Sequence, residues 1–244
     1  MRALLAAVAM FSPLALLAAE APAEKAPPKV EPPKAEAPKE AKLVPGTYAH
    51  LKTARGEIVI RLLGDKAPKA VANFTELAKG ERPWKTADGR WVAKPFYDGL
   101  TFHRIENDVL KLIQGGAPVA GNGLPKGDGS GGPGYKLDDE TTKDLKFDKP
   151  GMVGMEKAES DTHGSQFFIT LAPAPSLDGQ HTIFGEVVKG IDVAEAISRL
   201  PSKPHGTGAN VVHIAVVPVA IQSVSIEEVK DTPKPPAAPK AQSK

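Results

Sequence analysis

Between residues 46 and 229 the chain is a succession of short apolar runs separated by glycine, proline and charged residues, and helical spacing interrupts that rhythm only twice. Residues 48–52 and 57–62 flank Arg55-Gly56, and Ile58 and Ile60 alternate with Val59 and Arg61, which predicts two antiparallel strands joined by a tight turn. Pro68 then stands where a helix can begin. Val71, Phe74, Leu77 and Ala78 recur at helical spacing, and Gly80 follows as a C-cap. A second helix is expected over residues 191–199, with Asp192 as its cap and Val193, Ala194 and Ile197 as its apolar stripe. Further strands are expected at residues 99–105, 110–114, 152–155, 166–171 and 182–188, then at 211–216 and 220–226, the last two separated by Pro218. Helices do not alternate with strands, so a parallel sheet is excluded. The expected fold class is mainly β: a closed antiparallel β-barrel with helical caps.

The flanks have a different character. Arg2 precedes an uncharged apolar stretch, residues 3–19, and small residues crowd Ala18, Ala19, Ala21 and Ala23, the pattern of a secretory signal peptide over residues 1–19. Pro13 and the short length argue against a membrane anchor, which needs about 20 apolar residues. Residues 20–45 are built from Pro, Ala, Lys and Glu and read as a disordered linker, and residues 230–244 repeat that composition as a Pro- and Lys-rich tail. The barrel domain is thus expected over residues 46–229 of the 244. The chain contains no Cys, which excludes disulfides, thiolate nucleophiles and a lipid-modified cysteine. The expected location is periplasmic or otherwise exported, without stable membrane insertion once the signal is cleaved. Lys and Arg total 31 against 29 Asp and Glu, so no field exists to gather nucleic acid. No helix shows an unpartnered apolar face, which makes a monomer the expectation.

Phe102-His103-Arg104 is followed by Gln114-Gly115-Gly116, then by Gly129-Ser130-Gly131-Gly132-Pro133-Gly134-Tyr135, Gly164-Ser165-Gln166-Phe167-Phe168-Ile169-Thr170 and Leu177-Asp178-Gly179-Gln180-His181-Thr182-Ile183-Phe184-Gly185. One glycine run alone would signal only a turn. In this order, over most of residues 47–228, the segments resemble the signatures of the cyclophilins, and the loop over residues 81–95 is similar to that of bacterial members. The resemblance implies an eight-stranded barrel capped by two helices, in agreement with the strand and helix reading above. It also implies peptidyl-prolyl cis-trans isomerase activity on proline-containing segments of unfolded or flexible polypeptides, with no cofactor and no metal.

An X-Pro bond resists rotation by about 20 kcal/mol because the amide nitrogen shares its lone pair with the carbonyl. In the twisted state that pair localises on nitrogen, so a fixed hydrogen-bond donor and a dry surface gripping the ring are what the reaction requires. By motif position the resemblance makes Arg104 the donor and Gln114 the residue that orients it. It lines the substrate groove with Leu112, Phe168 and Leu177, puts His181 at the rim and sets Gln166 against the substrate main chain. Strand alternation separates Phe167 and Leu171, expected in the packing, from Phe168. Since isomerisation moves no proton, His181 is expected to act by contact.

Four positions depart from the family pattern. Lys111 stands where most members have an aromatic residue, which leaves two readings: an altered loop with Val109 or Leu110 turned inward, or a groove lacking one aromatic wall. Met155-Glu156-Lys157 replaces Met-Ala-Asn and brings charge beside the groove. Ser176 replaces the tryptophan that supports cyclosporin binding in many eukaryotic members. An alternative reading follows, that of a catalytically weakened peptide-binding or chaperone module. A metal hydrolase built on His103, His163, His181 and His205 lacks the ligand spacing, and the loop over residues 121–134 lacks the Gly-Lys-Ser/Thr ending of a phosphate loop.

Overall fold

The computed structural model describes residues 43–118, 131–207 and 211–230. The expected signal peptide, most of the linker, most of the glycine-rich loop and nearly all of the tail lie outside the described residues. In chain order the elements are β1 (Gly46–Thr53), β2 (Gly56–Leu62), α1 (Pro68–Lys79), β3 (Trp84–Lys85), β4 (Trp91–Val92), β5 (Thr101–Asn107), β6 (Lys111–Gly115), β7 (Met152–Met155), β8 (Phe167–Thr170), a 3-10 turn (Pro175–Leu177), β9 (Ile183–Lys189), α2 (Ile191–Ser198), β10 (Ser202–His205) and β11 (Val212–Val229).

Closure follows from β11 having two partners besides β10. The strands hydrogen-bond in the order β1-β2-β9-β7-β8-β6-β5-β11-β10, and β11 pairs again with β1, so eight strands close into a barrel and β10 stays outside. Every pairing is antiparallel. Inside lie Leu51, Ile58, Ile60, Ile105, Ile113, Val153, Phe167, Ile169 and Ile221, none more than 1% exposed. Phe74 of α1 joins them with ring centroids 4.7 Å from Tyr97, 5.3 Å from Phe184 and 5.6 Å from Phe167. From α2, Ala194 and Ile197 enter the same core. Each helix therefore closes the barrel with its apolar stripe, and its sequence periodicity had that stripe to offer.

The α1 boundaries match the sequence signals, with Pro68 in the first turn and Gly80 as a left-handed C-cap. Two expectations need correction. Asp192 does not cap α2: the N-cap is Gly190, no side-chain cap bond forms, and Asp192 sits in the first turn, where its charge meets the helix dipole favourably. Pro218 does not divide the last strand, because the pairing of β11 with β5 already shifts between Ile214 and Val219, and a missing N–H breaks no rung there. The β3–β4 hairpin and β10 were not expected; two-residue strands and the exposed Ser202–His205 carry no apolar alternation to read.

Gly116, just past β6, has φ +82°, and a Cβ there would stand 2.5 Å from the Ser165 carbonyl oxygen. Gly116→Ala is expected to cost more than about 2 kcal/mol, from left-handed strain plus the clash, and a lowered urea midpoint at unchanged slope is the check. His103 is 3% exposed, and burial, helped by the neighbouring Arg104 charge, lowers its pKa to about 4 although the Thr101 carbonyl opposes the shift. The unfolded chain binds that proton more readily, so stability is full above pH ~6.5 and falls as pH drops toward ~4. The loss from this one group is on the order of 3 kcal/mol. Unfolding titrations at pH 7 and pH 4.5 should show it, and His103→Gln should flatten it.

Candidate active site

One bulge and one register place the site. Phe102 lies opposite Gly115, whereas Arg104 lies opposite Gln114, so β5 spends one extra residue at His103. That offset turns Phe102 into the core and Arg104 outward, although the two are a strand period apart. Gln114 is in turn opposite Phe168 on β8, and Phe168 is opposite Gly154 on β7. Arg104, Gln114 and Phe168 therefore stand in one row across three neighbouring strands. Beside it runs a second row, Glu106, Leu112 and Thr170. The intervening Ile105, Ile113, Phe167 and Ile169 face the interior, as period-2 alternation requires.

Hydrogen bonds join the polar members. Arg104 Nη1 donates to Gln114 Oε1 at 3.0 Å, Gln114 Nε2 donates to Gln166 Oε1 at 3.0 Å, and Gln166 Nε2 donates to the Gly131 carbonyl at 2.7 Å. On its other edge Arg104 Nε donates to Glu106 Oε1 at 2.9 Å. Gln114 and Gln166 are 3% and 5% exposed, so these bonds are shielded from competing water. Arg104, Gln114, Gln166, His103 and Glu156 line one open cavity.

The apolar members gather outside the barrel core. Leu112 and Phe168 pack with Phe147, Met152, Ala174 and Ile183, and Leu177 and Leu110 lean on them. The Phe147 ring stacks on Phe168 at 5.5 Å, and His181 meets Phe168 edge-on at 5.3 Å. His181 Nδ1 is 3.0 Å from the Met155 carbonyl, so that nitrogen carries the proton and the ring is held by it. At Gly154 a Cβ would come within 2.5 Å of Phe168 Cζ, and the missing side chain is the space the phenyl ring occupies. Leu112 and Phe168 are themselves 3% and 1% exposed. These two, Leu177 and His181 adjoin the polar row without lining the open cavity.

The structure also decides the open readings. Val109 is 99% exposed and Lys111 points to solvent, while Leu110 turns in against the second cluster. The aromatic neighbour of Phe168 comes instead from Phe147, whose lone position before Asp148-Lys149-Pro150 gave no signal. Glu106 was also missed, although two residues beyond Arg104 on a strand is the same face. The Lys157 ammonium is taken up by Asp139. Burial raises the Glu156 carboxyl above its ordinary range, against the pull of His181 and Arg104. No group of three or more His, Asp or Glu among the described residues is arranged to hold a metal.

Comparison with known proteins fits this arrangement. Residues 48–224 match the family described as cyclophilin type peptidyl-prolyl cis-trans isomerase/CLD. Peptidyl-prolyl cis-trans isomerase B of Streptomyces anulatus is 46% identical over 160 residues, which cover 64% of this chain and 86% of that protein. Peptidyl-prolyl cis-trans isomerase A of Mycobacterium tuberculosis is 42% identical over 181 residues, 73% of this chain and 91% of that one. Among solved structures, a Cryptosporidium parvum cyclophilin type isomerase crystallised in the presence of the dipeptide Ala-Pro superposes with TM-score 0.58 at 27% identity, over 75% of this chain and 99% of that one. An eight-stranded barrel, a matched family profile over most of the folded residues and relatives matched over most of their own length converge on one assignment: the chain belongs to the cyclophilin-type peptidyl-prolyl cis-trans isomerases.

Proposed function

We propose that the chain isomerises X-Pro bonds at the row formed by Arg104, Gln114 and Phe168, with the proline ring packed against the edge of the apolar cluster around Phe168, Leu112 and Leu177. The observation that carries this reading is the Arg104 guanidinium, fixed by neighbours and set one strand away from the residue opposite Phe168. Arginine stays charged at any relevant pH and presents its donors in a rigid plane. Nη1 and Nε are engaged by Gln114 and Glu106, and Nη2 has no hydrogen-bond partner among the described residues, which leaves it for the prolyl nitrogen. A preorganised donor of this kind lowers the barrier by about 3 to 4 kcal/mol, and burial of the ring against Phe168 and Leu177 contributes the further selectivity for the twisted form. Gln166, tied to Gln114 and to the Gly131 carbonyl, is set against the substrate main chain, and His181 closes the rim without exchanging a proton. No covalent bond forms, so neither cofactor nor metal enters the reading.

The substrates are proline-containing segments of flexible polypeptides, a reading supported by the Ala-Pro dipeptide supplied to the Cryptosporidium parvum relative. Arg2, the apolar residues 3–19 and the small residues around Ala19 support an exported, periplasmic location. A monomer is the working state, supported by helices whose apolar stripes are both spent on the core.

Exchange NMR on a short Ala-Pro peptide tests the assignment. Arg104→Ala is expected to lower kcat/KM by at least about 100-fold while the protein stays folded. Peptide binding with no exchange enhancement by the intact chain would favour a binding module. Ser176 is exposed on the 3-10 turn beside Leu177, with no indole to cover a bulky cyclic peptide. Cyclosporin is therefore expected to inhibit weakly, and a tight inhibition curve in the same assay would contradict that.

A further inference from the structure

We propose that Glu106, held in place by His213, is a positioning residue for Arg104 and sets the fraction of molecules in which the guanidinium is aimed for reaction. The inference rests on the assignment of Arg104 as the donor. Arginine has a long side chain with several free torsions, and Gln114 alone holds it through a single nitrogen, about which the plane can still turn. The Glu106 carboxylate removes that freedom by accepting Nε–H at 2.9 Å on the opposite side of the guanidinium from Gln114. Two acceptors on two nitrogens define the plane, whereas one defines only a point.

Glu106 is in turn fixed by two groups of one residue. The His213 backbone N–H donates to Oε1 at 3.1 Å, and His213 Nδ1 lies 3.0 Å from Oε2. Burial would raise the Glu106 carboxyl, but the hydrogen bonds from His213 and Arg104 outweigh it and hold the group below its ordinary value, so it is ionised at neutral pH. Glu106 is 9% exposed, little open to water that would loosen the contact. His213 reaches the site because β11 runs beyond the barrel: Ile214 pairs with Arg104 on one edge, and His213 pairs with Pro204 of β10 on the other. The outlying β10 arm thus braces the segment that carries His213.

Glu106→Gln keeps an oxygen for Nε–H and for the His213 backbone, and its amide can donate to Nδ1 in the other tautomer. Glu106→Ala removes all of it. In the Ala-Pro exchange assay, Glu106→Ala is expected to lower kcat about 10-fold with KM changed less than about two-fold, and Glu106→Gln to recover kcat to within about three-fold. The Arg104 Nε–H NMR resonance should be protected from solvent exchange in the unaltered chain and in Glu106→Gln, and lost from Glu106→Ala. His213→Ala, which retains the backbone donor, should fall between the two. Arg104→Ala is measured alongside. If it keeps full activity, the assignment of Arg104 falls; if it loses activity while Glu106→Ala keeps full kcat, only the positioning role falls. A rise in KM alone, or failure of Glu106→Gln to restore kcat, would equally overturn it.

Discussion

The antiparallel register across β5, β6, β8 and β7 is the constraint from which the molecule's other features follow. It sorts each strand's residues into an inward set, Ile105, Ile113, Ile169 and Val153, and an outward set, Arg104, Gln114, Phe168 and Gly154. A slip of one residue would exchange the sets, burying a guanidinium and exposing the core. Fold stability and site geometry are therefore enforced by the same hydrogen bonds. The inward set is held by burial of branched and aromatic side chains, each contributing about 1.5 to 3 kcal/mol. The outward set inherits that rigidity.

Two apolar clusters on opposite faces of one sheet do different work. Phe167 belongs to the barrel core, where it meets Phe74, Tyr97 and Phe102 edge-on. Phe168, its neighbour in sequence, belongs to the outer cluster with Phe147 and His181. The polar row lies alongside the outer cluster, so a charged donor stands next to apolar surface without being surrounded by it. Arg104 avoids the cost of complete burial because its plane keeps one edge open while Gln114 and Glu106 satisfy the other nitrogens.

The departures from the family pattern sort by what surrounds them. Lys111 points to solvent at the start of β6 while Leu110 turns inward, so the change leaves no charge in the apolar cluster, and Phe147 stacks on Phe168 there. Lys157 is neutralised by Asp139. Glu156 stays on the cavity lining near Arg104, and its burial raises its carboxyl above the ordinary range against the pull of His181 and Arg104.

Much was legible in the sequence because period-2 and helical apolar patterns report local geometry. The strand pair around Arg55-Gly56, the helix from Pro68 to its Gly80 cap and the placing of Phe167 and Phe168 on opposite faces all follow from alternation, spacing and backbone preference over a few residues, while the groove role of Phe168 came from the family resemblance. What the sequence could not state were relations between distant segments. Nothing local to Phe102-His103-Arg104 announces the bulge at His103, since strict alternation would have put Phe102 and Arg104 on one face. The pairing of Glu106 with His213, the stacking of Phe147 on Phe168 and the passage of β11 through Pro218 are likewise outcomes of closing the barrel. Local pattern determined the elements and the chemical kinds of the site residues; barrel closure alone decided which of them meet, because inter-strand register is a property of partners far apart along the chain.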